Sequence, residues 1–244
     1  MFRLLLALIL FPFPAFSQSC LPADEAKVSF DGEIYSFCDG AQMREVCDPN
    51  LIDSGLVGHW RLDEVEGTVA YDASGNGNHG NWNGSADVNS AGGRVDIAHD
   101  FDGFDDYYNI PRNASMEPSN AITVAAWVYW DDPANSYHAK VLSKEVAGNS
   151  SFAISQDAST SRMRFETNSG SYRPSPDVSV PTGQWAHVAG SWSSGNTVKI
   201  YVNGVLAGQS ASSYTGNLNY DNARDFRIGH NSNGQTENQF DGRI

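Results

Sequence analysis

Ile122-Thr123-Val124-Ala125-Ala126-Trp127-Val128-Tyr129-Trp130 is the stretch whose reading decides the fold. Apolar side chains fall on both faces of this run, which predicts a central strand lying between covering layers. Outward from it in both directions, short apolar or alternating runs are separated by Gly, Asn, Ser and Asp clusters, the signature of an antiparallel β protein. Strands are predicted over Val57–Leu62, Val95–Phe101, Ile122–Trp130, Lys140–Ser143, Phe152–Gln156, Arg162–Glu166, His187–Trp192, Thr197–Val202, Val205–Gln209 and Phe226–Gly229. Asn203-Gly204, two residues able to take positive φ, sits between two of them and predicts a type I′ hairpin. Many short strands without intervening helices favour a sandwich or jelly roll over an α/β arrangement.

The N-terminal end reads differently. Arg3 precedes an apolar run, Leu4 to Phe11, too short to span a bilayer, and Ala15-Phe16-Ser17 offers small residues where a signal peptidase inspects. Residues 1–17 are therefore expected to be a signal peptide, with cleavage after Ser17, or after Ser19 as the second choice. A lipoprotein reading at Cys20 is the minor alternative, because the leucine such sites carry is replaced by Ser17. No later stretch is apolar enough to cross a membrane, which predicts a soluble, secreted chain, extracellular or periplasmic. Residues 18–54 form a short head and linker holding all three cysteines, Cys20, Cys38 and Cys47. Export makes a disulfide expected, three pairings are open, and one thiol is left over. The spacings are not those of zinc ligands, and no histidine falls among them.

Fifteen Lys and Arg stand against 29 Asp and Glu, a formal net charge of −14. Such a surface repels nucleic acid and favours solubility.

Several segments in order resemble the laminin-G-like (concanavalin A-like) jelly-roll family. They are Gly55-Leu56-Val57-Gly58-His59-Trp60-Arg61-Leu62-Asp63-Glu64, Asp72-Ala73-Ser74-Gly75-Asn76-Gly77-Asn78-His79-Gly80, Phe101-Asp102-Gly103 with Asp105-Asp106-Tyr107, Ala126-Trp127-Val128, Trp185-Ala186-His187-Val188-Ala189, Ile200 to Val205, Ile228-Gly229 and Phe240-Asp241-Gly242. The resemblance implies an all-β, antiparallel two-sheet jelly-roll sandwich over residues 55–244, behind the cysteine-containing head. The family pattern continues past Phe-x-Gly-x-Ile into a last strand, so the sandwich is expected to lack it. Gly32 to Gly40 resembles a small disulfide segment near the start of some secreted bacterial proteins, with Met43 in place of a tryptophan. That resemblance implies a Cys20–Cys38 disulfide, with Cys47 free or paired to another chain.

Asp72-Ala73-Ser74-Gly75-Asn76-Gly77 matches the first half of a calcium loop, oxygens alternating before a glycine, but position twelve is Asn83 rather than a bidentate glutamate. A tight glycine turn is the plainer reading. In related jelly rolls calcium is held by loop oxygens from distant segments, which makes Asp72, Asn76, Asp102 and Asp105 the expected calcium ligands. Trp82, Trp130, Tyr137, Tyr172, Tyr214 and Tyr220 fall in or beside expected loops, where rings could stack on sugars. Trp60, Trp127, Trp185 and Trp192 sit in strand patterns and are expected to pack inside. Glucanases of this general fold place two carboxylates on alternate residues of one strand, and no Glu-x-Asp-x-x-Glu pattern occurs. Asp96-Ile97-Ala98-His99-Asp100 and His187 read as structural, and no Gly-x-Ser-x-Gly elbow is present. The expectation is a non-catalytic extracellular recognition module for carbohydrate or a protein surface. A structural or adhesive component and, last, a glycoside hydrolase are the alternatives.

Overall fold

The computed structural model describes residues 55–84, 88–131, 138–146, 149–156, 162–221, 224–231 and 239–244, together with three short strands nearer the N-terminus. Those strands, β1 (Val28–Phe30), β2 (Tyr35–Cys38) and β3 (Met43–Glu45), make an antiparallel sheet of their own. The expected signal peptide, Cys20, Cys47 and the side chain of Cys38 lie outside the described residues.

Val57–Ile244 forms a separate compact unit. Its strands are β4 (Val69–Ala70), β5 (Gly80–Asn83), β6 (Asn89–Gly92), β7 (Ile97–Asp102), β8 (Tyr107–Ile110), β9 (Ala121–Trp130), β10 (Lys140–Val146) and β11 (Asn149–Gln156). They continue as β12 (Arg162–Asn168), β13 (Tyr172–Pro174), β14 (Val178–Ser179), β15 (Trp185–Ser193), β16 (Asn196–Val202), β17 (Val205–Tyr214), β18 (Phe226–Ile228) and β19 (Asp241–Arg243). A nine-stranded sheet runs β13-β12-β11-β10-β18-β8-β5-β4, with β14 also on β12, and a seven-stranded sheet runs β17-β16-β15-β9-β19-β7-β6. The pairings are antiparallel, as the expected two-sheet sandwich requires.

Alternation along each strand sends one set of side chains into a shared core. Ile122, Val128 and Trp130 from β9 and Val188 and Trp192 from β15 meet Ile110, Ile154, Met163, Phe165 and Phe226 from the other sheet. A Cβ placed on Gly190 in β15 would lie 2.1 Å from the ring of Phe165 in β12, so the missing side chain lets that ring seat between the sheets. Asn203 and Gly204 both take positive φ between β16 and β17, with Val202 opposite Val205, so the predicted tight hairpin is present.

Two expected strands are corrected. Val57–Leu62 is not a strand and makes only a single bridge, Trp60 to Asp72. Leu62 takes φ 53, which ends extension there, and the Trp60 indole folds back over Gly58 to donate to the Asn78 carbonyl at 2.8 Å. Val95 lies in the turn before β7, because Asp96 takes φ 60 and its carbonyl accepts from Gly93. No helix among the described residues is long and apolar enough to cross a membrane.

Candidate functional site

β9 is the middle strand of the seven-stranded sheet, as expected, and its outer face is apolar at one end. Trp127 and Tyr129 point away from the core and remain half-buried. The register sets Tyr129 opposite Trp185 and Trp127 opposite His187 on β15. Both pairs meet edge to face, with ring centroids 5.7 Å apart for Tyr129–Trp185 and 5.3 Å for Trp127–His187. Two cations lie over this tract. The Arg94 guanidinium sits 5.1 Å from the Trp127 ring centre, and that of Arg243 on β19 sits 4.4 Å from Tyr129. Arg243 also faces Asp100 at 3.7 Å and Asp131 at 4.0 Å, and Asn89 donates to Asp100. Burial raises the Asp100 carboxyl above its ordinary value, offset in part by Arg243. Burial lowers His187, which favours the neutral ring beside Trp127.

The expectation that Trp127 and Trp185 pack inside is therefore corrected, because the two rings build an outer face. The signal lies in the parity of Thr123, Ala125, Trp127 and Tyr129, one polar-to-small side of the strand turning aromatic at its end. The loop aromatics fare differently. Trp130 is core, and Trp82 lies in β5 packed on Phe101 and Tyr108. Tyr214 lies under Arg173, the Tyr220 hydroxyl donates to the Pro118 carbonyl, and Tyr172 is 36% exposed. Tyr137 lies outside the described residues.

The structure separates the expected calcium ligands. Asp72 is the hub of its turn: Oδ1 accepts from the His59 and Ser74 amides and Oδ2 from Asn78, each at 2.9 Å. Burial alone would raise its carboxyl, but these hydrogen bonds outweigh it and hold the group below its ordinary value. The Asn76 side chain donates to Ser74 Oγ. Asp102 and Asp105 instead gather with Asp106, one oxygen from each lying within 4.8 Å of the others. Asp102 Oδ1 accepts from the Phe104 and Asp105 amides, closing the turn through Gly103 at φ 72. Asp106 is only 6% exposed, and its Oδ2 accepts from the Asp102 amide at 3.2 Å. Burial and the neighbouring Asp102 push its carboxyl up to about 6.

A cleft of about 460 Å³ opens beside the Asp72 turn, lined by Arg61, Glu64, Val65 and Tyr71 among others. It is made by loops. A pair of carboxylates also occurs on the outer face of the nine-stranded sheet, where Ser150 Oγ lies 3.0 Å from both Glu145 and Glu166. These glutamates are 3% and 4% exposed, too enclosed to straddle a sugar bond. His99, fully buried, is fixed by a network: the Glu64 carbonyl can only accept, so Nε2 carries a proton, and Nδ1 shares a 2.8 Å hydrogen bond with the Tyr108 hydroxyl.

A sequence profile described as the concanavalin A-like lectin/glucanases superfamily, of the laminin-G type, matches residues 101–244. The chain belongs to this superfamily. No curated protein sequence matches the chain. Among solved structures, domain 4 of AbnA, an extracellular arabinanase from Geobacillus stearothermophilus solved with arabinotriose, shares 22% identity at a TM-score of 0.57, over 77% of this chain and 87% of that one. The binding domain of Paraclostridial Mosquitocidal Protein 1 shares 15% identity at 0.58, over 79% of this chain and 48% of that one. The botulinum neurotoxin serotype C1 binding domain shares 14% at 0.50, over 69% and 43%. The chain spans about half the length of the two toxin domains. At these identities the likeness is one of fold, and it agrees with the laminin-G-like sandwich.

Proposed function

We propose that this superfamily member is a non-catalytic carbohydrate-recognition module of a secreted protein, and that the outer face of the seven-stranded sheet is its binding surface. The observation that carries the reading is the tract Trp127, Tyr129, Trp185 and His187, flanked by Arg94, Arg243 and Asp100. Flat rings offer their faces to the C–H side of a sugar, while the guanidinium, imidazole and carboxylate groups at the margin meet hydroxyls. The rings stand on adjacent strands rather than loops, so the platform is set before the ligand arrives. This favours it over the loop cleft at Tyr71. The arabinanase domain solved with arabinotriose and the toxin binding domains support a recognition role for this fold.

The test is titration of the full chain with soluble oligosaccharides, arabinan fragments first, followed by tryptophan fluorescence and calorimetry. Trp127→Ala and Trp185→Ala each weaken binding by about tenfold, the loss of roughly 1–2 kcal/mol of stacking, with the melting temperature little changed. Glycan binding that survives both substitutions moves the site elsewhere. Failure of every glycan to bind turns the reading to a protein surface or an adhesive role.

A further inference from the structure

We infer that the cleft beside the Asp72 turn receives the side chain of a lysine projecting from a protein partner. The cleft measures about 460 Å³, and its lining is of two kinds. Val65 and Tyr71, 79% and 60% exposed, supply the apolar part, a surface that a ligand's hydrocarbon can cover. The Tyr71 ring is braced from behind. His79 meets it edge to face with ring centres 5.4 Å apart, and His79 Nδ1 accepts from the Asp72 amide at 3.0 Å. The polar part is acidic: Asp63, Glu64 and Glu66 stand against Arg61, whose guanidinium is engaged with Asp63 at 2.8 Å. The excess of carboxylates favours a cation, and the four-carbon stem of lysine matches the Val65 and Tyr71 walls. Glu64 selects the head group. Its Oε1 accepts from the Tyr71 amide at 2.8 Å, whereas Oε2 is buried and has no hydrogen-bond partner among the described residues. A carboxylate oxygen in that position is costly until a donor reaches it. The last torsion of a glutamate is soft, so a small rotation brings Oε2 to an incoming N–H. With Oε1 already taken, the fork of a guanidinium lacks its matched pair of oxygens, while an ammonium needs a single acceptor. The cleft shares no residue with the aromatic tract on β9 and β15, so it adds a protein contact to the glycan surface proposed above.

Heteronuclear NMR of the full chain, titrated with the capped peptide acetyl-Gly-Lys-Gly-amide, tests the site. Saturable shifts in the millimolar range are expected, the strength of one ion pair with a short apolar contact, at the amides of residues 64–66 and 71–73. The same peptide with its lysine acetylated, and so uncharged, moves none of them. Glu64→Gln keeps an acceptor for the Tyr71 amide and weakens the peptide by about fivefold, and Tyr71→Ala weakens it by about threefold. In both variants the remaining amide spectrum keeps its dispersion, which shows that the sandwich is intact. Absence of saturable shifts, an equal response to the acetylated peptide, or shifts untouched by both substitutions overturns the proposal. A stronger response of the same amides to glucosamine oligomers overturns the lysine assignment in favour of an amino sugar. Glycan titration reads Trp127 and Trp185 and this one reads Glu64 to Ala73, so the two proposals fail separately.

Discussion

Single residues on the outer face of the nine-stranded sheet show how a charge is kept inside. Lys140 Nζ lies 2.8 Å from Glu166 Oε2, and Ser150 and Ser155 donate to the same carboxylate. Burial pulls Glu166 upward, but Lys140 and the two hydroxyls overcome it and hold the carboxyl at about 2. Ser150 has one proton and two carboxylates at 3.0 Å. Burial raises the Glu145 carboxyl above its ordinary value, offset in part by Lys140 and by the Ser150 hydroxyl. Two outcomes follow. Glu145→Gln, which keeps an acceptor for Ser150 and removes a carboxyl that faces Glu166, leaves the thermal midpoint nearly unchanged, whereas Lys140→Met strands a buried carboxylate and costs about 3–5 kcal/mol in urea unfolding. With the folded value depressed from 4.5 to about 2, Glu166 adds stability above pH 4.5 that is lost as pH falls through that interval. Acid titration of Lys140→Met, monitored by circular dichroism, therefore shows a smaller loss across the same window than the parent chain.

Elements differ in how far the sequence discloses them. Where alternation is strong, as in β9, β15 and β16, strand and face parity are legible in the order of residues alone, and Asn203-Gly204 fixes a register. β6, Asn89-Ser90-Ala91-Gly92, carries no apolar alternation, because three of its four residues are exposed and its identity comes from pairing with β7. β5 and β8 are hidden for a related reason: each is four residues long, too short for a period to show. Val57–Leu62 misleads in the opposite sense, since its apolar residues pack without extension once Leu62 turns to positive φ. The acidic turn is half legible. Asp102 and Asp105 stand out as loop oxygens, but the burial that makes Asp106 the third member depends on β5 lying beside β8. Between elements, Gly190 sets the separation of the sheets. Gly190→Ala drives a methyl into the Phe165 ring and lowers stability by about 1–3 kcal/mol, measurable as a shift of the urea midpoint.

At the scale of the whole molecule, the seven-stranded sheet has a seam. β19 lies between β7 and β9, with Gly242 opposite both Phe101 and Trp130. Gly242 takes φ 138, and a Cβ there would lie 2.2 Å from the Tyr129 carbonyl oxygen. Gly242→Ala is therefore expected to cost about 3 kcal/mol or more, combining backbone strain with a clash against main chain. Native-state hydrogen exchange reads this directly: protection is lost together in β7 and β9, on both sides of the seam, while β15–β17 keep more of theirs. Equal loss across the sheet would show that β19 is not a separable joint.

The same seam sets a timetable for biosynthesis. A ribosome delivers β7 and β9 long before β19, so the neighbours wait with a gap between them and the sheet cannot close on partial chains. A polypeptide whose sheet stays open in this way completes its sandwich only once those late residues have emerged.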